Sequence, residues 1–222
     1  MKFAHYAGPI ILGTALLVGC MSSKPDQSDY SGWMADYSNL SEVKTATGGT
    51  SMRWLNPAIK RGQYNAIMIS PIAYYPAPPA DSQVPLKVID SLPKYLALQI
   101  GKELGNNIRI VQQPGPNVLR LRTAITGVET PVEGLQAYEI IPIALIFAGA
   151  SAATGHRDHN TVVYLEAQLT DSQTGTLLAK AVRKGVGENL DNHKSEMTLN
   201  DAKPVLNDWA KDAALFIKAV IK

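Results

Sequence analysis

The run Leu16-Leu17-Val18-Gly19-Cys20 decides how much of this chain is free to fold. It closes an N-terminal stretch in which Lys2 supplies a short positive region and Ala7 to Val18 are apolar or small. That stretch has the length of a signal-peptide core and is too short to span a bilayer comfortably. Pro9 and Gly13 weaken it further as a helix. A small residue, Gly19, stands directly before the only cysteine of the chain. Small residues suit any signal peptidase site, but a cysteine at this place is an extra and specific sign. The segment is therefore read as a lipobox, with residues 1–19 a cleaved signal peptide and Cys20 the lipid-bearing first residue. The competing reading is an uncleaved signal anchor with an incidental cysteine, against which the shortness of the apolar run argues.

A thiol at the new N-terminus takes a thioether-linked diacylglycerol, and the freed amino group takes a further acyl chain such as palmitate. Each buried methylene contributes about 0.8 kcal/mol, so one chain is marginal and two or more hold firmly. Residues 20–29, with Met21-Ser22-Ser23-Lys24-Pro25 leading, are polar and read as a lipidated flexible tether. In lipoproteins of Gram-negative bacteria an Asp after the cysteine retains the protein in the inner membrane. Met21 stands there instead, so a Gram-negative source implies the outer membrane, facing the periplasm.

Of 222 residues, 203 follow the signal peptide, enough for one domain with its own core, read here over residues 30–222. With Cys20 acylated, no cysteine is left for a disulfide or thiolate metal site. Beyond the signal peptide, 20 Lys and Arg face 19 Asp and Glu without a basic cluster, which argues against nucleic acid as a partner.

Along the domain, Tyr30 to Leu40 is short and aromatic-rich. Its apolar groups are expected to bury against the domain in an irregular turn, with a partner-binding aromatic motif as the alternative. Residues 41–51, containing Gly48-Gly49, read as a surface loop. Tyr64 to Tyr75 reads as a central strand with a bulge or edge at Pro71. A helix is predicted from Ser91 to Leu104, capped by Ser91 or Asp90, with Pro93 in its first turn and Leu92, Leu96, Ile100 and Leu104 on one face. Ile108 to Gln112 closes a β-α-β crossover. Val118 to Thr130 and Thr161 to Thr170 alternate, with Leu119, Leu121, Ile125, Val163, Leu165, Ala167 and Leu169 inward. Asp171 to Gly175 reads as a hairpin loop, Thr176 to Lys184 as its return strand, and Asn189 to Leu199 as a polar loop. A last helix covers about Asp201 to Lys222, with Trp209, Ala213, Phe216, Ile217 and Val220 as its stripe. The expectation is one α/β (α+β) domain: a largely antiparallel sheet with two helices on one face.

Ala137 to Gly155 stands apart, with fourteen uncharged residues from Ile140 to Ala153. It is too short and Pro-interrupted for an ordinary transmembrane helix. It reads as a buried core element, a loop that meets the membrane or a partner, or a long small-residue loop.

Candidate chemistry is sparse. His156-Arg157-Asp158-His159 has two histidines three apart, which a regular helix would align as metal ligands with Asp158 or Glu166, but it lies in a loop before a strand. No second ligand pair accompanies it, and His193 sits in the polar loop. Ser91 to Lys94 matches S-x-x-K, and so does Ser41 to Lys44, without the companion motifs of penicillin-interacting enzymes. Glu103, Glu129, Glu133 and Glu166 make no recognisable glycosidase pair. No phosphate loop or dinucleotide fingerprint is present.

The chain after the lipobox, through Gly32-Trp33-Met34-Ala35-Asp36-Tyr37-Ser38-Asn39-Leu40, Tyr64 to Pro71 and the hairpin at Asp171 to Gly175, resembles a family of uncharacterised proteobacterial lipoproteins defined by a domain of unknown function. The resemblance implies no catalytic residues, and Cys20 is the one site it carries over. More loosely, the layout resembles small α/β lipoproteins that are accessory subunits of envelope machines, a likeness of fold alone. The expectation is a non-catalytic, membrane-anchored lipoprotein without metal or cofactor, which docks an envelope protein or forms a homo-oligomer. The alternatives are an oligomeric pore or secretion component that inserts residues 137–155, an envelope hydrolase with an unrecognised site near His156 to His159, and a small-ligand carrier.

Overall fold

The computed structural model describes residues 24–78, 84–129, 160–189 and 197–221. The strands are β1 (Ser41–Lys44), β2 (Thr50–Leu55), β3 (Ala66–Ile69), β4 (Ala73–Tyr74), β5 (Arg109–Val111), β6 (Val118–Glu129), β7 (Asn160–Asp171) and β8 (Leu177–Asn189). Helix α1 (Leu86–Leu104) follows β4, and α2 (Leu199–Ile221) closes the chain. All eight strands form one sheet in the order β1-β2-β8-β7-β6-β3-β5, with β4 also on β6. Pairings from β1 to β6 are antiparallel, while β3 is parallel to both β5 and β6. This is the expected single α+β domain, and β3-α1-β5 is the expected crossover.

Residues 41–51 are not a loop. They fold as the β1–β2 hairpin, in register from Ser41↔Arg53 to Lys44↔Thr50. Gly48, at φ +89°, serves its turn. The stretch Tyr64 to Tyr75 does run along β6, but it is broken. Ile69 pairs with Leu121 and Ala73 with Ala124, so this chain has one residue more than its partner between the two pairs. The break falls at Ser70-Pro71-Ile72, where proline has no N–H for the ladder.

Helix α1 begins at Leu86, earlier than the Ser91 cap predicts, and Pro93 lies inside it. The Ser91 hydroxyl donates to the Val88 carbonyl instead of capping. A proline inside a helix deprives the carbonyl four residues back of its donor, here that of Ile89. The Tyr74 hydroxyl donates to that carbonyl at 2.9 Å. A tertiary contact thus replaces the missing helical bond, and so the helix passes through its proline. Gly105, at φ +64°, ends α1 as expected. Helix α2 starts at Leu199, ahead of the predicted Asp201, because Thr198 donates its N–H (2.7 Å) and hydroxyl (2.8 Å) to the Asp201 carboxylate.

Both helices pack together and share one core cluster with the sheet. From α1 come Leu92, Leu96, Ile100 and Leu104, and from the sheet Leu119, Ile125, Val163 and Leu165. In α2 the buried stripe includes Leu206, Trp209, Ile217 and Val220, while Ala213 and Phe216 are half-buried. Helix α2 sits tight on β8 because Gly185 and Gly187 face it. A Cβ at Gly185 would collide with Val205 and Trp209, and one at Gly187 with the Asp201 carbonyl.

Tyr74→Phe removes only the hydroxyl that satisfies the Ile89 carbonyl. It is expected to lower stability by about 1–3 kcal/mol, the cost of a buried unsatisfied acceptor, read by denaturant unfolding. No change would show that the bond contributes nothing across the Pro93 break.

Candidate functional site

Side chains on successive residues of a strand point to opposite faces. The face of β6, β7 and β8 away from the helices carries Arg122, Tyr164, Glu166, Lys180, Val182 and Lys184. Glu166 is 0% exposed. A buried carboxylate needs donors, and they come from residues 30–40, which lie across this face as a strap. The Ser31 N–H (2.8 Å) and hydroxyl (2.9 Å) donate to Glu166 Oε1, and the Tyr37 hydroxyl donates to Oε2 at 2.7 Å. The Gly32 N–H in turn donates to the Tyr37 oxygen at 2.7 Å. Burial first, and the Glu166 bond next, push the Tyr37 phenol up to about 12. Gly32, Ala35 and Asn39 all have positive φ, so the strap is a series of tight bends.

Basic residues of the sheet hold the strap elsewhere. Lys180, with a side chain only 3% exposed, donates to the Asp36 carbonyl (3.0 Å) and carboxylate (2.8 Å). Arg122 stacks over Trp33 at 5.2 Å from the ring centroid. Lys184 pairs with Asp29 at 3.4 Å. The Lys180 ammonium, followed by the Ser38 N–H and hydroxyl, holds the Asp36 carboxyl well below its usual range. Ahead of the strap, Pro25 is buried, Lys24 pairs with Glu42 at 3.1 Å, and Gln27–Asp29 form a 3-10 turn. Part of the stretch read as tether therefore lies on the domain.

The opposite face has its own charge cluster. Asp212 of α2 is buried, and its Oδ2 accepts from Arg53 Nη2 at 2.7 Å and Arg183 Nη1 at 2.6 Å. The Ala46 N–H reaches Oδ1 at 3.3 Å. Arg53 stacks on Phe216 at 4.9 Å and Arg183 on Trp209 at 5.8 Å. Burial lowers the Arg183 pKa, and Asp212 opposes that. Beside this cluster an apolar slot of about 80 Å³ opens between α2 and the sheet.

Of the residues singled out in the sequence, Cys20, the segment 137–155 and the histidines 156, 159 and 193 lie outside the described residues. In the two S-x-x-K matches, the Ser91 hydroxyl donates to the Val88 carbonyl within α1, and Lys44 donates to the Thr50 hydroxyl across the β1–β2 hairpin. Glu166 has both oxygens taken by the strap. No group of three or more His, Cys, Asp or Glu suited to a metal occurs among the described residues. None of their helices is long and apolar enough to cross a membrane. Sequence reasoning missed the roles of Glu166 and Asp212. The one signal for each was an acid on an otherwise uncharged stretch of strand or helix stripe.

This architecture, an eight-stranded and mostly antiparallel sheet with two helices, defines a single-domain α+β protein whose outer sheet face is covered by its own N-terminal strap. The chain belongs to the family described as "Protein of unknown function (DUF3313)", whose model matches residues 29–213. It is 39% identical over 215 residues to the "Uncharacterized lipoprotein YdcL" of Escherichia coli K12, covering 97% of this chain and 96% of that protein. The same protein of Escherichia coli O157:H7 matches equally. It is thus a lipoprotein of unknown function. Among solved structures, the PelC dodecamer from Paraburkholderia phytofirmans is similar at 16% identity, over 74% of this chain and 98% of that one, with a TM-score of 0.39. A neuraminyllactose-binding hemagglutinin homolog from Helicobacter pylori is similar at 13% identity, over 81% and 92%, with a TM-score of 0.34. At these scores the likeness is loose and says nothing of assembly.

Asp212→Ala strands two guanidinium groups at the helix–sheet junction. The expected cost is about 3–5 kcal/mol, as for breaking a buried ion pair, read by urea unfolding. Converting Arg183 to Met together with Asp212→Leu should recover most of it. Asp36 predicts an acid-sensitive strap. Its pKa is depressed in the folded state, so its contribution is present above its ordinary value of 3.8 and is lost as pH falls below that. Asp36→Asn should flatten this part of the stability-versus-pH curve, and a parallel curve for the variant would count against the Lys180 contact.

Proposed function

We propose that the protein is a non-catalytic, outer-membrane-anchored lipoprotein that faces the periplasm and docks a protein partner of the cell envelope. The observation that carries this reading is how close the anchor lies to the rigid body. Three residues separate Cys20 from Lys24, whose ammonium pairs with Glu42, and the next residue, Pro25, is buried. Fully extended, four residue steps reach roughly 14 Å. The strap that follows is bolted to the sheet through Glu166 and Lys180. The acyl chains therefore hold a folded surface at the bilayer, with the strap side near the lipid and the helix side outward. Such a placement suits a part of an assembly better than a freely diffusing enzyme. The buried carboxylates support the non-catalytic half of the reading. Both oxygens of Glu166 and of Asp212 accept bonds from the protein itself, so neither waits for a substrate.

Mass spectrometry of the native membrane-extracted protein, intact and after cross-linking in cells, tests this. The expected result is a chain that starts at Cys20 with added acyl mass, in the outer-membrane fraction, cross-linked to one protein in fixed ratio. An unmodified Cys20 would remove the anchor. An acylated chain recovered only as monomer would remove the docking role.

A further inference from the structure

The slot beside the Asp212 cluster has the makings of a ligand site. Leu121, Leu165, Leu169, Ala179, Phe216 and Ile217 give it apolar walls, and Arg53, Arg183 and Asp212 line the same space. Two guanidinium groups share one carboxylate there, which leaves one positive charge in surplus inside the cluster. Arg183 is 94% buried, since its relative exposure is 6%, and its Nε–H has no hydrogen-bond partner among the described residues. A buried, charged donor without an acceptor costs stability unless something occupies it. The Arg53 side chain, which lines the slot, is still 19% exposed. Asp208 is the other acid that acts on Arg183, and it is exposed to solvent.

We propose that this slot binds one single-chain amphiphile with an anionic head, whose head group meets Arg53 and Arg183 and whose tail lies between α2 and the sheet. Sites of this kind combine apolar walls with few convergent polar groups, and both halves are present. The volume of about 80 Å³ sets the size. With one water needing roughly 10–15 Å³ on this measure, the slot takes about six methylene-sized groups, and its open side lets the remaining chain run out. A two-chain phospholipid does not fit. Guanidinium groups match carboxylate or phosphate heads by paired N–H donors, so a free fatty acid and a lysophospholipid satisfy the same chemistry.

The test uses the mature acylated protein in a nonionic detergent, with dodecanoate, lysophosphatidylglycerol and dodecanol added at equal concentration and retention read by native mass spectrometry. One dodecanoate or one lysophosphatidylglycerol per chain is expected. Retention of only one of the two assigns the source of the head group, and dodecanol, with the same tail and no charge, should bind at least tenfold more weakly. Ala213→Phe, which fills the slot and leaves the charges in place, should lower retention at least tenfold while the melting temperature stays near that of the unchanged protein. Arg53→Gln, which keeps the Arg183–Asp212 pair, should do the same for the charged ligands only. The proposal is overturned if neither anionic ligand is retained, if dodecanol binds equally well, or if a folded Ala213→Phe protein binds undiminished.

Discussion

A carboxylate with no exposure to water, Glu166, sits at the centre of a sheet face that the helices do not cover. An ionised group in that position is costly unless donors surround it. Ser31 and Tyr37 supply them, and the whole strap follows from that requirement. Without the strap, the middle of β7 would present Tyr164, Glu166 and Gln168 to solvent as an ordinary polar face. With it, β7 is buried on both sides, although only one side packs helices. The domain is therefore layered as helices, sheet and strap.

The strand β8 shows how the two faces are kept distinct. Lys180 and Lys184 point to the strap and take Asp36 and Asp29, while Arg183 between them points to α2 and takes Asp212. Opposite charges thus fasten both coverings to one strand, and the alternation of the strand decides which covering each residue serves. Such pairs contribute little where they are exposed, and Asp36, at 66% exposure, is such a case. They act chiefly as register marks: a slip of one residue would turn Arg183 to the strap and Lys180 or Lys184 into the core.

Much of the fold was legible in the sequence. The long alternating strands β6 and β7, the Asp171 to Gly175 hairpin and the apolar faces of both helices all follow from period and turn chemistry. The misses share a cause. Residues 41–51, which hold β1 and the first two residues of β2, read as loop because Ser41-Glu42-Val43-Lys44 has one apolar residue, and β1 becomes a strand by pairing with β2 at the sheet edge. For α1 the sequence predicts a start at Ser91, because Ser91 or Asp90 can cap a helix and Pro93 suits a first turn. The helix runs on because Tyr74, fifteen residues before Ile89, donates to the orphaned Ile89 carbonyl.

The sequence by itself determined the single α+β domain and the inward-facing residues of its main elements, because amphipathic period is a local property of the chain. Tertiary structure alone decided which charges are buried. Glu166 and Asp212 stand out only as lone acids on apolar stretches, and their partners Ser31 and Arg53 stand 135 and 159 residues away. Burial depends on which segment lies over a position, and no local pattern records that.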